Sequence, residues 1–187
     1  MQAAVQPVLG DGPMWVFGYG SLIWNPEFPV AARQVACVEG WRRSFCMRSI
    51  HHRGTEGDPG LVLALDRATE GACGGVGFKV RAGAEAATLA ALRARELISS
   101  AYEEVWLPMR LSCGAEVAAL AYVIDRDHPQ YCGALALEEQ ARIIARAIGK
   151  RGSNRDYLFS TADHLADLGI ADPDLVWLAL RVRELAG

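Results

Sequence analysis

Along the first two thirds of the chain, apolar and polar positions alternate in short runs broken by Gly and Pro; over the last third the apolar positions recur at helical spacing. The alternation predicts strands over residues 14–18, 40–48, 61–66, 74–80, 103–110 and 116–124, with Gly57-Asp58-Pro59-Gly60 as the clearest turn. Helical spacing begins at Leu137. There Glu138-Glu139-Gln140 opens a helix with Ala141, Ile144, Ala145 and Ile148 on its apolar side and Gly149 as its stop. A second helix is expected over residues 154–168, closed by Gly169. The third is announced by Asp172-Pro173, an N-cap residue followed by Pro at the first helical position, and runs towards Leu185. Strands followed by helices, with no internal repeat and no low-complexity linker, place the chain in the α+β class. A single domain over residues 14–187 is expected, preceded by a flexible leader at 1–13.

One helix interrupts the β-rich part, over residues 84–98, in a segment dominated by helix-favouring Ala, Leu, Glu and Arg. At about 100° per residue, Leu89, Leu92 and Leu97 define an apolar arc, and Glu96 projects from between Leu89 and Leu92. Glu85 shares that direction but sits in the first turn, where a carboxylate complements the helix dipole. A carboxylate on an apolar stripe loses hydration and becomes a better proton acceptor at neutral pH, which is how many catalytic bases are made. The competing reading is an ion pair with Arg93 or another arginine, and helical geometry alone weighs the two evenly.

Composition narrows the function classes. The 187 residues carry 22 Asp plus Glu against 19 Lys plus Arg, a formal charge of −3, which argues against a general polyanion binder; 51% apolar residues are enough for a sizeable core. Among the basic residues only Lys79 and Lys150 are lysines, a lopsidedness that reads as composition bias rather than phosphate binding. No apolar run approaches the roughly 18 residues of a membrane span, and the first residues lack a signal-type core, so a soluble protein is expected. Cys37, Cys46, Cys73, Cys113 and Cys132 are odd in number, scattered and without a C-x-x-C pair, which points to reduced thiols in a cytoplasm rather than to disulfides or zinc.

Two further segments carry candidate chemistry. In Trp15-Val16-Phe17-Gly18-Tyr19-Gly20-Ser21-Leu22-Ile23-Trp24, alternate glycines follow an apolar strand, a pattern that lets a ligand approach the backbone and its N–H groups closely; the alternative is a tight turn that holds nothing. Ile23 and Tyr19 break the dinucleotide-binding and nucleophile-elbow templates, so Ser21 is a poor nucleophile candidate. The run from Arg42 to Thr55 alternates arginine with aromatic and apolar residues. In an acidic chain this reads as an amphipathic strand, with Arg43, Phe45 and Met47 on one face and Arg42, Ser44, Cys46 and Arg48 on the other, rather than as a nucleic-acid surface. His51 and His52 have no further His at ligand spacing, so no metal is expected. Trp24, Pro26 and Phe28 form either a lid or sheet packing, with packing favoured.

Taken together these motifs resemble the ChaC-like gamma-glutamylcyclotransferases that act on glutathione. The resemblance runs from Trp15 to Leu185 and rests on Val16 to Trp24, Gly40-Trp41-Arg42-Arg43-Ser44-Phe45, His52-Arg53-Gly54-Thr55, Pro59-Gly60, Arg95-Glu96, Tyr122-Val123, Tyr131-Cys132-Gly133 and the stretch from Gly152 to Leu158. It implies a mixed fold with a small barrel-like β-sheet, flanking helices and a helical C-terminal third. It also implies that Phe17, Gly18, Tyr19, Gly20, Ser21 and Leu22 line a gamma-glutamyl site and that Glu96 is the catalytic glutamate. The implied reaction converts glutathione to 5-oxoproline and Cys-Gly with no cofactor, metal, nucleic acid or membrane. Arg53 and Tyr102 are candidates for the Cys-Gly end of the substrate, and other gamma-glutamyl amines or a non-catalytic binding module stay open as alternatives. Oligomeric state is not readable.

Overall fold

The computed structural model describes residues 12–187, so the leader expected at 1–13 lies, but for Gly12 and Pro13, outside the described residues. The described chain forms two compact units, residues 12–42 with 65–125 and residues 43–64 with 126–187.

Five strands close a barrel: β1 (Trp15–Gly18), β2 (Val30–Ser49), β3 (Gly60–Val80), β4 (Tyr102–Leu111) and β5 (Glu116–Ile124), in the order β1-β3-β2-β4-β5; the first unit holds β1, β4, β5, the start of β2 and the end of β3. β1 runs antiparallel to β3 and parallel to β5, with Trp15 opposite both Lys79 and Ala119, so the shortest strand closes the sheet. Alternate residues face one core: Trp15, Phe17 and Tyr19, then Leu107, Met109 and Leu111, then Ala119, Ala121 and Val123. On β2, Ala36 and Val38 face that core and the next to do so is Trp41. The inward parity slips by one at Gly40, whose φ of +80° lies in the left-handed region, so this glycine absorbs an extra residue as a bulge does.

Two strand expectations are corrected. β2 begins at Val30, ahead of the expected start at Gly40, and the strands expected at 61–66 and 74–80 are one continuous β3. Polar or small residues such as Thr69, Glu70 and Ala72 stay extended and exposed because the neighbouring strand β2 satisfies their backbone, a tertiary effect that alternation cannot reveal. Helix α1 (Glu85–Glu96) stops two residues before the expected end. Leu97 N–H closes the last turn on Arg93 O, and Ile98 is left largely exposed.

The second unit holds α2 (Leu137–Arg146), the small hairpin β6 (Ile148–Gly149) and β7 (Gly152–Ser153), α3 (Asn154–Asp167) and α4 (Pro173–Ala186). Because α2 ends at Arg146, Ile148 leaves the apolar stripe on which it was expected and is exposed. Asp172 caps α4, accepting from Leu175 N–H at 3.1 Å, with Pro173 at the start, as the sequence implied. Fully buried Asn154 accepts from Leu61 N–H at its Oδ1, 2.6 Å away, and donates from its Nδ2 to Leu61 O at 2.7 Å. Phe45, Cys46 and Met47 are all buried, so this stretch of β2 is covered on both faces rather than on the one expected. No cysteine is in a disulfide. Among the described residues, no helix is long and apolar enough to cross a membrane.

Candidate functional site

The glycine-rich run occupies the end of β1 and the turn that follows. Gly18 and Gly75 are required by close approach: a Cβ on Gly75 would overlap the Gly18 carbonyl and lie 2.7 Å from the Phe17 ring, and one on Gly18 would lie 2.8 Å from the Phe78 ring. Past this crowded crossing the chain makes a short 3-10 turn, Ser21–Ile23, in which Gly20 O and Ser21 O accept from Ile23 N–H and Asn25 N–H. The amides at the start of such a turn have no partner within it, so those of residues 20–22 are the ones placed to meet a ligand.

The six residues expected to line a gamma-glutamyl site are thus contiguous, but they do not contribute alike. Phe17, Tyr19 and Leu22 turn their side chains into the protein, with Phe17 and Tyr19 in the barrel core. Tyr19 Oη donates to Tyr122 O at 2.8 Å and fixes the loop to β5. Gly18 and Gly20 are buried backbone, and Ser21 alone carries a half-buried polar side chain. What this loop can present is backbone and one hydroxyl.

Glu96 is the last residue of α1, on the helix face that buries Thr88 and Leu92 and half-buries Glu85 and Leu89. Its position on the inward stripe is as the helical spacing implied, and its side chain is 19% exposed. Its ionic partner is the other arginine that the competing reading allowed for, not Arg93. Arg93, three residues back, instead makes a two-pronged bond to Glu104 at 2.8 and 2.7 Å, whereas Arg95 Nε lies 3.1 Å from Glu96 Oε1. A nearby cation therefore offsets the desolvation of this carboxylate, so it does not stand alone on an apolar stripe.

The same Arg95 reaches the glycine loop. Its Nη2 donates to Ser21 Oγ at 2.9 Å, and its Nη1 donates to Asn25 O at 2.7 Å and to Glu27 Oε2 at 2.9 Å. One guanidinium thus joins the two features that the sequence offered separately. The Ser21 hydroxyl faces a donor that cannot accept a proton, the opposite of what activates a serine nucleophile.

Tyr122 and Glu104 complete the surroundings. Tyr122 Oη donates to Glu104 Oε2 at 3.2 Å. Burial, with the carboxylates of Glu104 and Glu96 nearby, pushes the Tyr122 phenol well above its ordinary range and keeps it protonated, while the Arg93 hydrogen bonds hold Glu104 below the usual carboxylate range. Sequence reasoning assigned these residues no role, although a signal existed: the turn around Cys113 and Gly114 sets Glu104 opposite Tyr122 in the β4–β5 register. Phe28 packs edge-on to Phe78 at 5.9 Å, the packing arrangement rather than a lid. Arg53, in the second unit, is committed to Arg151 O and Ser153 O at 2.7 and 3.2 Å and lies over the Tyr157 ring. Tyr102 opens β4, half-buried. Among the described residues no three His, Cys, Asp or Glu side chains are grouped to hold a metal ion.

Comparison with known proteins places the chain in a family. The chain is 36% identical over 175 residues to the glutathione-specific gamma-glutamylcyclotransferase of Escherichia coli (strain K12), covering 94% of this chain and 75% of that protein. It is 35% identical over 178 residues to gamma-glutamylcyclotransferase 2-3 of Arabidopsis thaliana, covering 92% and 89%. Its fold is similar to the crystal structure of a yeast gamma-glutamyl cyclotransferase specific to glutathione, with a TM-score of 0.84 at 23% identity over 93% of this chain and 97% of that one. The family described as ChaC-like protein matches residues 14–185, which is nearly all of the described chain, and the protein belongs to that family.

Proposed function

We propose that the protein is a gamma-glutamylcyclotransferase that cleaves glutathione to 5-oxoproline and Cys-Gly, with Glu96 as general acid and base. The observation that carries this reading is the bridge through Arg95 between the Glu96 carboxylate and the loop at Ser21 and Asn25. It puts a proton acceptor beside a turn rich in N–H donors. Relatives named for glutathione, from Escherichia coli and from Schizosaccharomyces pombe at 36% and 34% identity, supply the substrate class.

The chemistry follows from the substrate. In a gamma-glutamyl amide the α-amine can attack its own γ-carbonyl, so nucleophile and electrophile arrive already joined and the entropic cost of bringing them together is small. At neutral pH the amine is mostly ammonium. Glu96 takes its proton, the nitrogen bonds to the γ-carbon, and a tetrahedral oxyanion forms. Collapse breaks the γ-carbon–cysteine nitrogen bond as Glu96 gives its proton to that nitrogen, and the second proton still on the ring nitrogen passes through the freed carboxylate to the departing amine, leaving a neutral lactam and the Cys-Gly ammonium with Glu96 as it began and no water consumed. The amides of residues 20–22 and the Ser21 hydroxyl serve the glutamyl α-carboxylate or the oxyanion, with Phe17, Gly18, Tyr19 and Leu22 setting the backbone that carries them. Reduced thiols and a cytoplasmic setting, where glutathione is abundant, belong to the same reading.

The test is direct product analysis with purified protein and glutathione, detecting 5-oxoproline and Cys-Gly together. Glu96→Gln keeps the shape and removes the base. Turnover should fall about 10³-fold while calorimetric binding of glutathione persists. Near-normal turnover in that variant would refute the assignment. The Arabidopsis thaliana relative is named without reference to glutathione, so gamma-glutamyl amino acids are the comparison substrates.

A further inference from the structure

We infer that Arg95 is a positioning residue of the reaction proposed above: a single guanidinium that sets the Glu96 carboxylate and the Ser21–Glu27 loop in register with one another. The inference rests on that functional reading for its catalytic consequence, but the clamp itself stands on geometry.

Arg95 is not an ordinary surface arginine. Its side chain is 13% exposed, against 53% for Arg93 two residues before it and 51% for Arg110, each of which pairs with one carboxylate at 2.7 to 2.8 Å. Arg95 instead meets four groups: Ser21 Oγ, Asn25 O, Glu27 Oε2 and Glu96 Oε1. Three of the four lie some seventy residues away in sequence, all in one turn, and the fourth is its own neighbour. A planar fork with donors at three nitrogens can make such a bridge, whereas a lysine ammonium, a compact point charge, cannot span it.

The loop needs the hold. Glu27 adopts φ of +57°, a left-handed conformation that a residue with a Cβ enters only when its surroundings require it. Its carboxylate is fixed on one oxygen by Arg95 and on the other by Asn25 Nδ2, at 2.9 and 3.0 Å. Ser21 Oγ accepts from Arg95, so its own proton points elsewhere and the hydroxyl is offered as a donor. That is the polarity an anionic substrate group or a developing oxyanion calls for. Releasing the guanidinium therefore disturbs the base, the donor and the turn at once.

The experiment reads two properties in Arg95→Lys and Arg95→Ala. The first is kcat and KM for 5-oxoproline formation. The second is hydrogen exchange at the Ile23 and Asn25 amides, whose acceptors Gly20 O and Ser21 O lie in the clamped turn. Loss of register should lower kcat by about 10²-fold in both variants, since the charge kept by Lys does not replace the bridge, and exchange at both amides should quicken. Added guanidinium should restore roughly tenfold of the loss in Arg95→Ala and slow its exchange again, a rescue that a purely structural role would not give. Arg110→Gln, which breaks a pair with exposed Glu39, serves as the control and should stay within about twofold of wild type. Wild-type kcat in Arg95→Lys overturns the inference, as does unchanged exchange in that variant. If Arg95→Ala lacks the wild-type circular dichroism, Arg95→Lys decides alone. If the wild-type protein makes no 5-oxoproline from any gamma-glutamyl substrate, the functional reading fails and the exchange measurement still decides the clamp.

Discussion

Glu104 shows how a residue outside the expected set shapes this region. It receives two hydrogen bonds from Arg93 and one from Tyr122, and the Arg93 bonds hold its carboxyl below the usual carboxylate range. A carboxyl whose folded pKa is depressed stabilises the fold above its unfolded value, about 4.3, and that stability is lost as pH falls through the folded value. The urea midpoint of the wild-type protein should therefore drop between about pH 5 and pH 3, and Arg93→Gln should flatten that part of the profile. An unchanged acid slope in Arg93→Gln would mean the pair contributes nothing, as is common for pairs with an exposed partner. Glu96 itself was legible in the sequence because helical spacing aims it inward with Thr88 and Leu92. Arg95 was legible only as the other half of a motif. Its partners come from a turn that folds back over some seventy residues, and no local pattern carries that information.

At the scale of elements, the N-cap at Asp172 was read correctly, whereas Gly149, expected to stop α2, lies in β6 beyond the helix end at Arg146. Asp172 was identified as an N-cap from Asp-Pro alone, and it is one. The sequence did not reveal its second bond, to Arg43 Nε at 2.9 Å, with the arginine side chain only 3% exposed. The two roles separate by substitution. Asn caps as well as Asp does, so Asp172→Asn should lose only one charged contact of Arg43, at up to about 3 kcal/mol, and Asp172→Ala should lose about 1 kcal/mol more for the cap. Equal unfolding free energies for the two variants would show that the cap adds nothing. The misjudged ends share a cause: Val30 to Val35 and Arg67 to Ala72 lack clear alternation, yet they are strand because ladder bonds, not side-chain burial, hold them extended.

At the scale of the whole chain, the boundaries between the two compact units fall inside β2, between Arg42 and Arg43, and inside β3, between Ala64 and Leu65. We propose that residues 14–187 unfold as one domain, because β2 and β3 run unbroken through both boundaries. Two probes test this separately. Trp15, Trp24, Trp41 and Trp106 lie in the first unit, so fluorescence reports mainly on it, whereas helices α2, α3 and α4 make far-ultraviolet circular dichroism report mainly on the second. The two urea transitions should coincide; distinct midpoints would make the units independent.

The sequence by itself determined the α+β class, the edges of β1 and β5, the starts of the last three helices, the inward direction of Glu96 and a glycine run suited to close backbone approach. Each of these is set by neighbours within a few residues, through periodicity, capping or the absence of a Cβ. Only the tertiary structure decided that β1 closes a barrel between β3 and β5, that β3 is one strand, and that Glu96 pairs with Arg95 rather than Arg93. It also decided that one guanidinium ties the helix end to the glycine turn. These are long-range pairings, fixed by which surfaces the closed sheet brings together, and a local pattern of apolar and polar residues cannot encode them.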